Sequence, residues 1–137
     1  MTWYSATCDA LHITTPAPGG RGLAAVMEIM IAQGNTEKED VNYVNTHGTS
    51  TAYNDKFETM VLKPVSREHA TMKDGGFAVS STTGVTGHTL GAAGGLETTI
   101  AARAIQDGVV PRTVNYDRPV PECDLDYVPN KKKGRWR

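Results

Sequence analysis

The chain has 137 residues, with 14 Lys and Arg against 15 Asp and Glu and a formal net charge of -1. That length allows one domain or a piece of one, and the near-balance of charge removes the electrostatic footprint of a nucleic-acid or anionic-membrane binder. No apolar run is long enough to span a bilayer. In chain order, residues 14–20 (Thr-Thr-Pro-Ala-Pro-Gly-Gly) read as a loop, because two prolines and two glycines forbid a regular element. Leu23, Val26, Met27, Met30 and Ile31 recur at three- and four-residue spacing, which predicts an amphipathic helix ending near Gly34. Thr36-Glu37-Lys38-Glu39 reads as a capping box on a very short helical turn. Residues 41–45 alternate apolar and polar and predict a short strand running into His47. A second helix is expected over residues 54–63, stopped by Pro64, followed by a polar stretch closing on an Asp74-Gly75-Gly76 turn. Phe77-Ala78-Val79-Ser80-Ser81 reads as a buried strand, and Gly84 breaks the pattern after it. Residues 90–106 are rich in Ala, Leu, Ile and Thr, with Gly91, Gly94 and Gly95, and predict a tightly packed, buried helix. Each glycine costs a helix roughly 1 kcal/mol against alanine, tolerable where another backbone comes close. Asp107-Gly108 ends that helix, and Pro111, Pro119, Pro121 and Pro129 make the remainder mostly extended connection. Strands alternating with helices give an α/β class.

Residues 1–10 lack both a basic start and an apolar run, so a cytoplasmic, reducing setting is expected, with Cys8 and Cys123 as free thiols; an organelle is the alternative if a longer precursor directs the chain there. The last residues, from Lys131 to Arg137, read as a solvated basic tail rather than a binding patch.

His47 and His88 carry the chemistry. Each follows a predicted strand and is flanked by glycine and threonine. A strand end is where open α/β sheets place ligands, and the hydroxyls of Thr49, Ser50 and Thr51 supply short hydrogen-bonding arms. A lone histidine is more often structural; two in the same setting shift that balance. Converging imidazole N–H groups could stabilise the charge that develops on a thioester oxygen. A metal site with Asp55 and Glu58 is the competing reading, but the tight spacing of a zinc motif is absent. Gly91-Ala92-Ala93-Gly94-Gly95 lacks the lysine of a phosphate loop.

These residues resemble a known family. Asn45-Thr46-His47-Gly48-Thr49-Ser50-Thr51, with Asn54, Asp55 and Glu58, is similar to the first histidine motif of the β-ketoacyl-acyl-carrier-protein synthases. Ser80-Ser81-Thr82-Thr83-Gly84-Val85-Thr86-Gly87-His88, with Leu90-Gly91-Ala92-Ala93-Gly94-Gly95, resembles the second. Asp9-Ala10-Leu11-His12-Ile13-Thr14 with Pro16 and Pro18, and Pro121-Glu122-Cys123-Asp124-Leu125-Asp126-Tyr127-Val128-Pro129-Asn130, resemble two further segments, the latter of the elongating type II branch. Four motifs in one order cover nearly the whole chain.

The resemblance implies the C-terminal half of a thiolase-like layered α-β-α fold, incomplete at both ends, with residues 1–130 as the partial domain and 131–137 as a tail. It implies decarboxylative condensation of an acyl thioester with malonyl-acyl-carrier protein, an acyltransferase reaction of fatty-acid biosynthesis. No cofactor is expected beyond the phosphopantetheine that carries the substrates. His47 and His88 match the decarboxylating histidines, and Thr49 and Thr51 match hydroxyls that hold the pantetheine arm. Asn45 and Glu97 match a supporting network behind the second histidine. Acyl carrier protein is the implied partner, together with an N-terminal half or a second subunit; the family is homodimeric, and neither nucleic acid nor membrane is expected.

Three departures accompany the resemblance. The family's nucleophilic cysteine belongs to the N-terminal half, and neither Cys8 nor Cys123 lies where it would be replaced. The family has a lysine where this chain has Thr83, although its partner carboxylate, Glu97, is kept. The residues after Asn130 do not resemble the family's closing strands. The chain is therefore expected to be inactive alone; a non-catalytic ketosynthase-like module that binds acyl-pantetheine is the alternative.

Overall fold

The computed structural model describes residues 3–66, 77–131 and 134. Helix α1 (Arg21–Gly34) follows a single tight turn at Pro18–Gly20 and ends on Asn35 in the left-handed conformation. The prolines and glycines of the preceding loop thus form the entry to a helix. A second turn, Lys38–Asp40, carries the capping box one residue later than expected: Glu37 is the cap, and its N–H donates to Asp40 Oδ2 at 2.9 Å. Thr36 instead bonds back to the Ile31 carbonyl, closing the end of α1. Strand β1 (Tyr43–Asn45) leads to helix α2 (Asn54–Ser66), and strand β2 (Ala78–Ser80) leads to the one-turn helix α3 (Thr83–Thr86). A turn at Leu90–Ala92 then feeds helix α4 (Ala93–Asp107), which stops at left-handed Gly108.

Pro64 does not stop α2. It stands in the last turn, where the N–H it lacks removes a single bond, and the helix runs on to Ser66. The expected turn at Asp74-Gly75-Gly76 lies outside the described residues.

β1 and β2 pair in parallel, with Tyr43 opposite Ala78, Val44 opposite Val79 and Asn45 opposite Ser80. A parallel pair needs a crossover, and α2 supplies it. β2 is flanked on its other side by the late extended segment, where the Val79 N–H donates to the Asp126 carbonyl at 2.9 Å. Thr113 bridges Pro129 within that segment. β2 is therefore interior, which explains its unbroken burial.

Successive side chains of a strand face opposite ways. Phe77 and Val79 accordingly join Leu62 of α2 in one core, sealed by Met27 of α1, Val44, Leu125 and Tyr127. Ala78 joins Val110 and Val128 in a second core on the other face. α1 packs on α2, while α4 contacts β1.

The buried-helix expectation for α4 is not met. Only Ala93 and Ala104 of this helix are buried, and Leu96 and Ile105 are exposed. Among the described residues, a methyl group at Gly91, Gly94 or Gly95 would meet no atom within 4 Å beyond its chain neighbours and its own helix. The composition of α4 is that of a packed helix, but among the described residues nothing covers its glycines.

Candidate functional site

His47 leaves the end of β1 and His88 leaves the turn after α3, so both follow the same edge of the parallel pair. Their ring centroids are 4.7 Å apart, with the planes at 82°. The pair expected from sequence is brought together, from positions 41 residues apart, by the crossover of the sheet.

The main chain around His47 is fixed from several sides. Glu58, on α2, accepts the His47 N–H at 2.8 Å and the Gly48 N–H at 2.9 Å, and takes a third bond from Asn54 Nδ2 at 2.7 Å. Burial pushes the Glu58 carboxyl above its ordinary range, against the lowering effect of those donors. Thr83 Oγ1 donates to the His47 carbonyl at 2.7 Å, and Ser81 Oγ lies 3.3 Å from the carbonyls of both His47 and Gly48. Gly48 has φ +45°, and a Cβ there would run into the Ser81 side chain.

At the rings, His47 Nδ1 lies 3.4 Å from Glu97 Oε1. The supporting carboxylate therefore meets the first histidine, not the second as the sequence implied. The geometry has a simple cause: Glu97 sits one turn into α4, and α4 lies against β1. Asn45 belongs to the same group, its Nδ2 donating to the Glu97 carbonyl at 3.2 Å and to Thr82 Oγ1 at 3.4 Å. His88 Nδ1 instead accepts the Leu90 N–H at 2.9 Å.

Thr49 and Thr51, on the loop that follows His47, have their hydroxyls 3.3 Å apart. Thr51 Oγ1 also accepts the Asn54 N–H at 3.4 Å, at the start of α2. Ser50, in a left-handed conformation, donates its N–H to Asp55 Oδ1 at 3.1 Å. Both carboxylates of the competing metal reading are thus engaged by backbone N–H groups, and Glu58 is occupied on both oxygens.

The clamp formed by Glu58 is the feature that sequence reasoning missed. The residue was visible as a downstream carboxylate, but its partners are main-chain groups, which no residue pattern marks. A cleft of about 340 Å³ opens beside the same loop, lined in part by Thr46, Gly48, Glu58, Ser81 and Cys123. Neither imidazole is among its lining residues; His88 is exposed and His47 half-exposed. Cys8 and Cys123 are both free thiols.

Residues 1–117 match the model of the β-ketoacyl synthase C-terminal domain. The chain belongs to the β-ketoacyl synthase family. It is 44% identical over 134 residues to the 3-oxoacyl-[acyl-carrier-protein] synthase 2 of Synechocystis sp., covering 98% of this chain and 31% of that protein. The Staphylococcus aureus (strain COL) protein of the same name is 44% identical over 128 residues, covering 93% of this chain and 30% of its own length. Among solved structures, a type II PKS acyl-carrier protein in complex with its ketosynthase bound to the hexaketide gives a TM-score of 0.90 at 33% identity, over 98% of this chain and 32% of that one. A β-ketoacyl synthase from Burkholderia phymatum gives 0.84 at 26% identity, over 97% and 31%. The α/β fold is therefore that of the thiolase-like ketosynthases, and the chain spans less than a third of the length of the curated relatives it matches.

Proposed function

We propose that this chain is the histidine-bearing part of a 3-oxoacyl-[acyl-carrier-protein] synthase, which condenses an acyl thioester with malonyl-acyl-carrier protein. The observation that carries the reading is the His47–His88 pair, with rings 4.7 Å apart and His47 on a loop that continues into the hydroxyls of Thr49 and Thr51. Loss of carbon dioxide from a malonyl thioester leaves an enolate, and donors aimed at its oxygen lower the barrier. The two threonine hydroxyls suit the amides of a pantetheine arm.

That electrostatic effect is strong only where water is excluded. His88 is exposed here, and α4 presents Leu96, Ile105 and unfilled glycines. The site therefore needs a cover, which a nucleophile-bearing N-terminal part or a second subunit would supply. A phosphopantetheine carried by acyl carrier protein would bring the substrate, and the proposed setting is cytoplasmic. Residues 1–130 act as the partial domain in this reading, and 131–137 as a tail.

The test mixes this chain with the complementary N-terminal part of the Synechocystis relative and follows carbon dioxide release and condensation from acyl- and malonyl-carrier proteins. Activity appearing only in the mixture, and lost with His47→Ala or His88→Ala, is the expected result. Complex formation without turnover would defeat it. Thr83, standing where the family carries a lysine, favours a second reading as a non-catalytic module that still grips acyl-pantetheine. Turnover-free binding of malonyl-carrier protein by the mixture is the outcome that reading requires.

A further inference from the structure

We infer that the cleft at the C-terminal end of α4 binds a small amphipathic anion, its carboxylate or phosphoryl head on Arg112 and Lys131 and its aliphatic body along the α4 wall. The cleft has a volume of about 590 Å³ and opens to solvent. That size falls within the roughly 300–1,000 Å³ of small-molecule sites. It shares no lining residue with the cleft beside Gly48. The Asp107 end of α4 lies about 15 Å along the helix from Glu97, so this site stands apart from the histidine pair.

The backbone brings the two cations to one edge. Thr113 donates its N–H to the Val128 carbonyl at 3.0 Å, and its own carbonyl accepts the Asn130 N–H at 2.8 Å. Arg112, the residue before, donates from Nη1 to the Asn130 carbonyl at 3.3 Å. Asn130 is left-handed, with φ 55°, and turns the chain so that the Lys131 N–H closes on the Pro129 carbonyl.

The charges around the cleft do not cancel. Arg103 is already satisfied, by Gln106 and by Asp107, each at 3.1 Å. Asp107 is the single carboxylate among the described lining residues, and Arg103 holds it. Arg112 uses one of its five N–H donors on a neutral carbonyl, and Lys131 has no side-chain partner among the described residues. Complementing the helix dipole accounts for Arg103, which belongs to α4. It does not account for two further cations that the late segment sets against an apolar wall. That wall consists of Ile100, Ala104, Val109 and Pro111, all at least half-buried. It holds no aromatic ring on which a base could stack, so an aliphatic body suits it better than a nucleotide. The planar fork of Arg112 matches two oxygens of one head group, and Lys131 adds a point charge.

The test is titration calorimetry of the 137-residue chain with octanoate and octyl phosphate, with inorganic phosphate and octanol as controls. Amide chemical shifts map the bound ligand. Saturable binding of an octyl anion is expected, with shifts at Ile100, Val109 and Arg112 and far weaker binding of both controls. The tighter of the two anions names the head as carboxylate or phosphoryl, and either supports the inference. Arg112→Gln and Lys131→Gln should each weaken binding about tenfold without moving the thermal transition, since both side chains are exposed. Asp107→Asn works in the opposite direction: it removes the opposing carboxylate, frees Arg103 and should tighten binding. Absence of saturable binding overturns the inference. Inorganic phosphate binding as tightly as octyl phosphate would reduce the site to surface cations and overturn it too. So would octanol binding as tightly as octanoate, or octyl-anion binding indifferent to all three substitutions.

Discussion

Glu58 gathers the N–H groups of His47 and Gly48 on one carboxylate, and that clamp sets the start of the loop bearing Thr49 and Thr51. Glu58→Gln replaces one acceptor oxygen by an NH2 group facing a donor, so a loss of about 1–3 kcal/mol is expected in denaturant melts. The pH dependence has a definite sign. Burial raises the folded-state pKa of Glu58 above its ordinary 4.5, so between that value and the raised one the folded state binds more protons than the unfolded state. Stability from this group is present below 4.5 and declines as pH rises through the folded pKa. Glutamine cannot titrate, so the wild type's advantage over Glu58→Gln should shrink as pH rises. An advantage that grew would mean that the amide donors outweigh burial. Gly48→Ala strikes the same loop from the other side. Its φ of +45° and its contact with Ser81 both exclude a methyl group, and a loss of about 1–3 kcal/mol is expected in thermal melts.

Single elements divide by whether their packing partners lie within the chain. The α1 pattern of Leu23, Val26, Met27, Met30 and Ile31 was legible as a helix, and Phe77-Ala78-Val79 as a buried strand, because each meets its neighbours here. The pairing of His47 with His88 was legible from two histidines that each follow a predicted strand and are flanked by glycine and threonine. The contact of Glu97 with the first histidine was not, since it depends on α4 lying against β1. Pro64 misled because its position within the last turn, not its presence, decides its cost. α4 misled in another way: its glycines were read as sites where another backbone comes close, but among the described residues nothing approaches them. Thr98 and Thr99 bond back to the Gly94 and Gly95 carbonyls at 2.7 and 2.8 Å, so those hydroxyls could be covered without losing partners. A prediction separates the helix's own preference from its proposed use. Gly94→Ala and Gly95→Ala should each stabilise the isolated chain by up to about 1 kcal/mol in denaturant melts. The same changes should weaken assembly with the complementary N-terminal part, measured by titration calorimetry. Stabilisation with undiminished assembly would show that the covering surface does not reach these glycines.

Considered whole, the molecule closes a small core and leaves several large apolar side chains outside it. The α1–α2 side closes on Leu62, Phe77 and Val79, all nearly inaccessible to water. Along α3, α4 and the turn between them, Leu90, Ile105 and Val85 stand at 81%, 72% and 68% exposure, and in the N-terminal segment Ile13 stands at 94%. Singly exposed apolar residues are ordinary, but those flanking a glycine-rich helix are the candidates for an interaction surface under the proposed function. Without the proposed cover, that surface has one ready outlet, association with a second copy. Sedimentation velocity on the isolated chain should therefore give a weight-average mass that rises with concentration. Ile105→Lys combined with Leu90→Glu should return it to the monomer. The thermal transition should stay unchanged, because neither side chain is buried in either core. Leu62→Ala offers the contrast: removal of a buried leucine costs about 2–5 kcal/mol, so it should lower the transition and leave association in place. If the double charge substitution left self-association intact, the sticky surface would have to lie elsewhere, and the edge of β1 opposite β2 would be the next element to alter. If it abolished self-association yet left assembly with the N-terminal part at full strength, α4 would be a solvent face, and the proposed cover over His47 and His88 would have to approach from the loop of Thr49 and Thr51 instead.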